Sequence, residues 1–222
     1  MNIKALVAEF IGTFTLIFIG VAAIGAGSML GLTGIGLAHG LAIAVMVSAT
    51  AAISGGHLNP AVTFGALVAR KISVVNAVGY VVAQCLGAIA GAYVVKMAVP
   101  EQIIGAIQVG LPAIRPGISL TQGFMTETVL TFFLVFVVFG TLIDKRAQKV
   151  GGLFVGLAFA MGVMVGAPMS GAAMNPARHL GPAVASGLFD NIWLYWAAPL
   201  LGGLLAGLVY GYFLEEKESS AS

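Results

Sequence analysis

The chain twice runs from a Ser-Gly turn into Asn-Pro-Ala. The first stretch is Ser54-Gly55-Gly56-His57-Leu58-Asn59-Pro60-Ala61-Val62-Thr63 and the second is Ser170-Gly171-Ala172-Ala173-Met174-Asn175-Pro176-Ala177-Arg178. Proline suits the first turn of a helix, where its missing N–H would have no partner, and the asparagine before it can act as the cap. Both stretches therefore read as helix starts, yet both lie in sequence too apolar for a solvent loop. Of the 222 residues, 59% are hydrophobic and 8% charged, with a mean hydropathy of +1.05, whereas soluble domains carry about 25% charged residues. That composition excludes a soluble fold, so two short helices must begin inside a membrane protein. A formal charge of +2 with no basic stripe excludes a nucleic-acid partner.

A spanning helix needs about 20 mainly apolar residues. Six segments qualify, near 4–26, 34–53, 75–97, 121–143, 151–168 and 193–214. The first follows Lys4 as a signal peptide would. It exceeds the ~7–15 residues of a signal core, contains Glu9 and precedes further spans, so it is expected to stay as a permanent helix. The connections 54–70 and 169–190 are apolar but too short to cross, which is the pattern of re-entrant half-helices. Irregular backbone at that depth survives only where protein or a water-filled cavity satisfies its polar groups, so the two turns imply a cavity. Lys4, Arg70, Lys71, Lys145, Arg146, Lys149 and Lys217 fall on one side of this arrangement, and Lys96 and Arg115 on the other. The positive-inside rule then makes both termini cytoplasmic and 98–120 the long external loop. The polar tail from Glu215 to Ser222 is expected to be disordered.

The two halves repeat. Ala8-Glu9-Phe10-Ile11-Gly12-Thr13-Phe14 matches Thr126-Glu127-Thr128-Val129-Leu130-Thr131-Phe132 at an offset of 118, while Gly40-Leu41-Ala42 matches Gly156-Leu157-Ala158 and Asn59-Pro60-Ala61 matches Asn175-Pro176-Ala177 at 116. Each unit holds three spans, an odd number, so the second copy must be inverted and its half-helix must enter from the opposite face. The expected fold class is an all-α membrane protein of six transmembrane helices plus two re-entrant half-helices, built as inverted three-span repeats. Residues 1–222 form one domain, with repeat one at about 4–97 and repeat two at about 121–214. Gly87 and Gly91, and Gly203, Gly207 and Gly211, recur at the spacing of close helix contacts.

Two half-helices meeting N-terminus to N-terminus place two partial positive charges, roughly half an elementary charge each, at the membrane midplane. Cations stripped of hydration are repelled there. The amides of Asn59 and Asn175 can donate to a passing oxygen if packing turns them to the lumen. A water held by both points its own hydrogens toward the two mouths and cannot relay a proton.

With both signature turns intact in equivalent halves, and Arg178 following the second, the chain resembles the aquaporin and glyceroporin superfamily, the major intrinsic proteins, over essentially its whole length. The resemblance implies a homotetramer with one pore per subunit, lying in the lipid bilayer of the cell (inner) membrane for a prokaryotic-type member. It also implies an outer constriction at His39, Val163, Ala172 and Arg178. Strict water channels usually carry Phe at the position of His39 and His at that of Val163. The set found here resembles some plant vacuolar aquaporins and implies a wider, still polar opening. The glycerol-facilitator pattern is unmet, because its aromatic is absent at Ala172 and its Asp after the arginine is His179. Tyr195-Trp196 resembles the aromatic pair of water channels.

Glu9 and Glu127 are acids at equivalent membrane depths. On their residue type alone they are either proton-relay groups or acceptors for the backbone N–H groups of the re-entrant turns; the resemblance supports the scaffold role. His57 reads either as a gate or as a donor and acceptor fixing its loop. Cys85, the only cysteine, reads as packing. No nucleophile and base pair or metal cluster is present, so no enzyme activity, cofactor or metal is expected. The function expected is a passive pore for water and small uncharged solutes such as ammonia, hydrogen peroxide, urea and glycerol. The alternative is a secondary transporter of a small solute, because inverted repeats with broken helices describe that class too.

Overall fold

The structure, a computed structural model, describes residues 2–147 and 150–215. All regular structure among them is helical. Polar residues at element boundaries start several helices. Asn2 caps α1 (Ile3–Gly25), Ser73 caps α4 (Val74–Ala98), and Ser119 forms a capping box with Gln122 at the head of α6 (Leu120–Val138). Asn59 and Asn175, each followed by proline at the first position, cap the short helices α3 (Pro60–Val68) and α8 (Pro176–Ser186). At 1.5 Å per residue these two run about 14 and 16 Å, roughly half of a bilayer core.

Among the described residues five helices are long and apolar enough to cross a membrane: α1, α2 (Gly27–Ser54), α4, α6 extended by a π turn to Ile143, and α9 (Ile192–Val209) extended by a π turn to Leu214. The sixth expected span, α7 (Gly151–Gly166), has 16 residues and ends at Gly166, with Ala167 still in the right-handed helical region ahead of Pro168. The second span starts earlier than the sequence suggests, with a kink at Gly31 (φ 62°) joining two helical pieces. The loop 98–120 is not plain coil; it holds α5 (Glu101–Ala106) and a 3-10 turn at Gln108–Gly110. Lys149, Lys217 and the expected tail beyond Glu215 lie outside the described residues.

The helices pack in matched pairs. α1 lies on α4 as α6 lies on α9, α2 crosses α7, and each short helix seats on a long helix of the other half, α3 on α9 and α8 on α4. Glycine permits these approaches. A Cβ on Gly203 or Gly207 of α9 would strike the backbone of Ala61 or Gly65 on α3, and one on Gly87 or Gly91 of α4 would strike Phe10 or Phe14 on α1. The polar residues point inward. Glu9, Thr13, His39, Asn59, Gln84, Glu127, Asn175, Arg178 and His179 are all buried, while Leu41, Val45, Val78, Leu157 and Val165 are exposed, as a lipid-facing surface requires.

Candidate functional site

The site begins with two turns of the same shape. Gly55 and Gly171, Gly56 and Ala172, and Leu58 and Met174 are corresponding pairs, and all six have left-handed φ between 49° and 89°. Three of them are not glycine, and each such residue costs about 1–2 kcal/mol. The N–H of Ala172 donates to Ser170 Oγ at 3.3 Å, and hydrogen bonds from both sides hold Leu58 and Met174. The N–H of Leu58 donates to Glu9 Oε2 at 2.6 Å and that of Met174 to Glu127 Oε2 at 2.7 Å. Their carbonyls are taken by the opposite turn: Asn59 Nδ2 donates to Met174 O at 2.8 Å, and Asn175 Nδ2 to Leu58 O at 3.0 Å. The asparagine oxygens meanwhile cap their own helices, Oδ1 of Asn59 accepting from Ala61 N (2.8 Å) and Oδ1 of Asn175 from Ala177 N (3.0 Å) and Arg178 N (3.2 Å). The N-termini of α3 and α8 are thus tied head to head. One of the two amide N–H groups on each asparagine is used in the tie, leaving the other for a solute.

Each turn hangs on one glutamate. Glu9 accepts from Ser54 Oγ (2.6 Å), His57 N (3.0 Å), Leu58 N and Gln84 Nε2 (2.8 Å). Glu127 accepts from Ser170 Oγ (2.6 Å), Ala173 N (2.9 Å) and Met174 N. Tyrosines brace both turns from outside, Tyr80 donating to Ser54 O and Tyr195 to Ser170 O. His57 Nδ1 lies 3.1 Å from Thr63 Oγ1, whose own proton goes to Asn59 O. Thr63 then accepts, so the imidazole carries its proton on Nδ1.

A cavity of about 530 Å³ opens on the side of the 98–120 loop and is bordered by His39, Val163 and Arg178, together with Arg115, Gly110 and Gly171. Ala172 does not border it; its methyl faces Gly166, and the neighbouring Gly171 reaches the cavity instead. Arg178 Nη1 donates to Gly110 O at 2.9 Å, and its Nε–H has no partner among the described residues. His39 Nδ1 is 2.9 Å from Ile35 O; since a carbonyl only accepts, the proton sits on Nδ1. Its other edge lies against Gly20, where a Cβ would overlap Nε2. His179 is buried behind Arg178, stacked on Tyr195 at 4.1 Å with both ring nitrogens unpartnered among the described residues.

Gly20, Gly110, Gln84 and Tyr80 escape a sequence reading, as does the bond from Tyr195 to Ser170 O. Gly110 acts through its carbonyl, which carries no residue signature. Gln84, an uncharged amide in the middle of an apolar helix, was the one available signal.

The sequence profile described as Major intrinsic protein matches residues 1–210. The chain is 41% identical to Aquaporin TIP4-4 of Zea mays, over 96% of its own length and 88% of that protein's. It is 39% identical to Aquaporin-4 of Mus musculus, over 94% and 67% of the respective lengths. Among solved structures it resembles the X-ray structure of the aquaglyceroporin from Plasmodium falciparum, with a TM-score of 0.85, 27% identity and coverage of 95% of this chain and 96% of that one. With the profile spanning nearly every residue and relatives of this identity aligned along almost the whole chain, the protein belongs to the major intrinsic protein family.

Proposed function

We propose that this protein is a passive multi-pass membrane channel for water and small uncharged solutes that excludes ions and protons. The observation that carries the reading is the tie between Asn59 and Asn175, two helix N-termini joined through each other's preceding carbonyl beneath a cavity holding Arg178. The remaining N–H of each amide orients a water oxygen at the midplane, so the water's hydrogens point outward and the proton file is broken. Half-helix dipoles that exclude protons and cations are an established device of aquaporin-type pores. Arg178 and Arg115 add positive charge at the outer cavity, which is bordered by no carboxylate among the described residues.

His39, Val163, Ala172 and Arg178 form the filter in this reading, with Ala172 acting by its small size and through its neighbour Gly171. The short side chains at 163 and 172 favour passage of ammonia, hydrogen peroxide, urea or glycerol beside water. Repeat one is 4–97 and repeat two 121–214, a division favoured by the paired helix contacts. The channel works as a homotetramer in the cell (inner) membrane with both termini cytoplasmic.

Stopped-flow permeability of one proteoliposome preparation to water, glycerol, urea, ammonia and hydrogen peroxide tests the proposal. Fast, low-activation-energy flux of water and at least one other solute is expected. Water permeability equal to that of empty vesicles, or uphill transport driven by a pH or sodium gradient, would overturn it in favour of a transporter. Passage of water alone would remove the widened filter.

A further inference from the structure

We propose that the outer trough between α1 and α4 binds an anionic phospholipid, with its phosphate on Arg70 and one acyl chain along the trough. The trough is an open, apolar depression of about 730 Å³. Val7 and Phe10 of α1 form one wall and Val78 and Val82 of α4 the other, while Gly79 and Ala83, one helical turn apart, put nothing larger than a methyl group on its floor. At Val74 it runs into a second depression of about 480 Å³ bordered by Leu67, Arg70, Lys71 and Ser73. A lipid has these two parts in this order, a charged head joined to an apolar chain.

The charges at the head end select an anion. Lys71 is already paired with Glu215 at 2.6 Å. Arg70 is exposed; its backbone N–H donates to Leu67 O, while its guanidinium has no hydrogen bond or ion pair among the described residues. Its planar fork matches the phosphate of a lipid bidentately. The Ser73 hydroxyl accepts from Asn76 N at 3.4 Å and keeps its proton to donate. Lys4, one helical turn from Val7 and on the same face of α1, stands at the same end of the trough.

A second copy of this chain fits the trough less well. Of the exposed carboxylates among the described residues, Glu101 follows the far end of α4, and Asp190 precedes α9, whose last turn is the one beside Lys71. A parallel neighbour in the same membrane therefore brings neither to Arg70.

The test is native mass spectrometry of the full chain, released in mild detergent from membranes containing equal phosphatidylglycerol and phosphatidylcholine. Retention of phosphatidylglycerol over phosphatidylcholine by about fivefold is expected, the factor that one basic residue near an anionic headgroup supplies. Arg70→Gln should bring the ratio close to unity, and Val78→Phe, which fills the trough, should lower retention of both lipids. Wild-type water permeability in proteoliposomes serves as the folding check for each variant, since neither residue belongs to the pore. Equal retention of the two lipids by the wild type, or an undiminished preference in Arg70→Gln, overturns the proposal. So does a Val78→Phe chain whose lipid retention is unchanged while its oligomeric state shifts, which assigns the trough to a second copy.

Discussion

Gly20 on α1 faces His39 on α2 so closely that a methyl group at its Cα would overlap the imidazole Nε2. The ring cannot retreat along α2, because Nδ1 is bonded to Ile35 O and Phe159 stacks beside it at 6.2 Å. The open direction is the cavity. Gly20→Ala is therefore expected to push the imidazole into the outer opening and lower glycerol permeability more than water permeability, by severalfold, in stopped-flow assays. In a His39→Ala background the same change should have little effect. An equal response in both backgrounds would separate Gly20 from the filter.

The Arg178 side chain, which borders the cavity, is held by one bond from Nη1 to Gly110 O, and its buried Nε–H has no partner among the described residues. Lysine keeps the charge but is a point donor without that geometry. Arg178→Lys is expected to release the Gly110 segment and raise glycerol flux relative to water, with protons still excluded. Arg178→Ala removes the charge as well, and a pH-sensitive dye inside the vesicles should then report a proton leak. Identical solute ratios in wild type and Arg178→Lys would show that charge alone sets selectivity.

The Asn-Pro-Ala turns and the run of apolar segments made the class of fold legible, because a helix start in lipid permits few architectures. The early start of α2 was hidden by Gly27 and Gly31, which fall in the gap between the first two expected spans although the chain kinks only at Gly31. The six residues of α5 are too few to show a period. Within the site, the asparagines and glutamates were visible because they are polar residues in apolar surroundings. Half of their partners are backbone groups brought from about 45 residues or more away, and nothing in local sequence says which carbonyl or N–H that is. Leu58, Ala172 and Met174 run against propensity, since non-glycine residues avoid left-handed φ; bonds to the glutamates and from the opposite turn hold Leu58 and Met174 there, and the N–H of Ala172 donates to Ser170 Oγ.

At the end of α6, Asp144 accepts from Arg146 Nη2 (2.6 Å), Nε (2.9 Å) and backbone N (2.9 Å), and from Tyr210 Oη (3.0 Å), while Arg146 also donates to Leu214 O. The Arg146 guanidinium holds the Asp144 carboxyl well below the usual carboxylate range. A depressed folded-state value contributes stability above the ordinary one, and that contribution is lost only as pH falls through the depressed value. This clasp between the 144–147 segment and the end of α9 should persist between about pH 5 and 8. Hydrogen exchange of that segment, corrected for intrinsic rate, should be flat over that window in the wild type and faster in Asp144→Asn. A wild-type change near pH 6 would mean that another group controls the segment.

Glu9 and Glu127 give the sharpest separation between a scaffold and a proton relay. A glutamine at either position must turn its NH₂ toward a backbone donor: His57 N or Leu58 N at position 9, Ala173 N or Met174 N at position 127. One buried N–H loses its acceptor whichever way the amide lies, at about 1–3 kcal/mol. Gln84, whose Oε1 has no partner among the described residues, can turn to accept from a glutamine at position 9, whereas no side-chain amide bonds Glu127. Glu127→Gln is therefore expected to be the more damaging of the two. At about 2–4 °C per kcal/mol for a chain of this size, its melting temperature in detergent should fall by about 2–12 °C, with water permeability retained well below the new midpoint. A relay role predicts the reverse pattern, an unchanged melting temperature with loss of proton-linked flux, and observing that pattern would remove both glutamates from the scaffold.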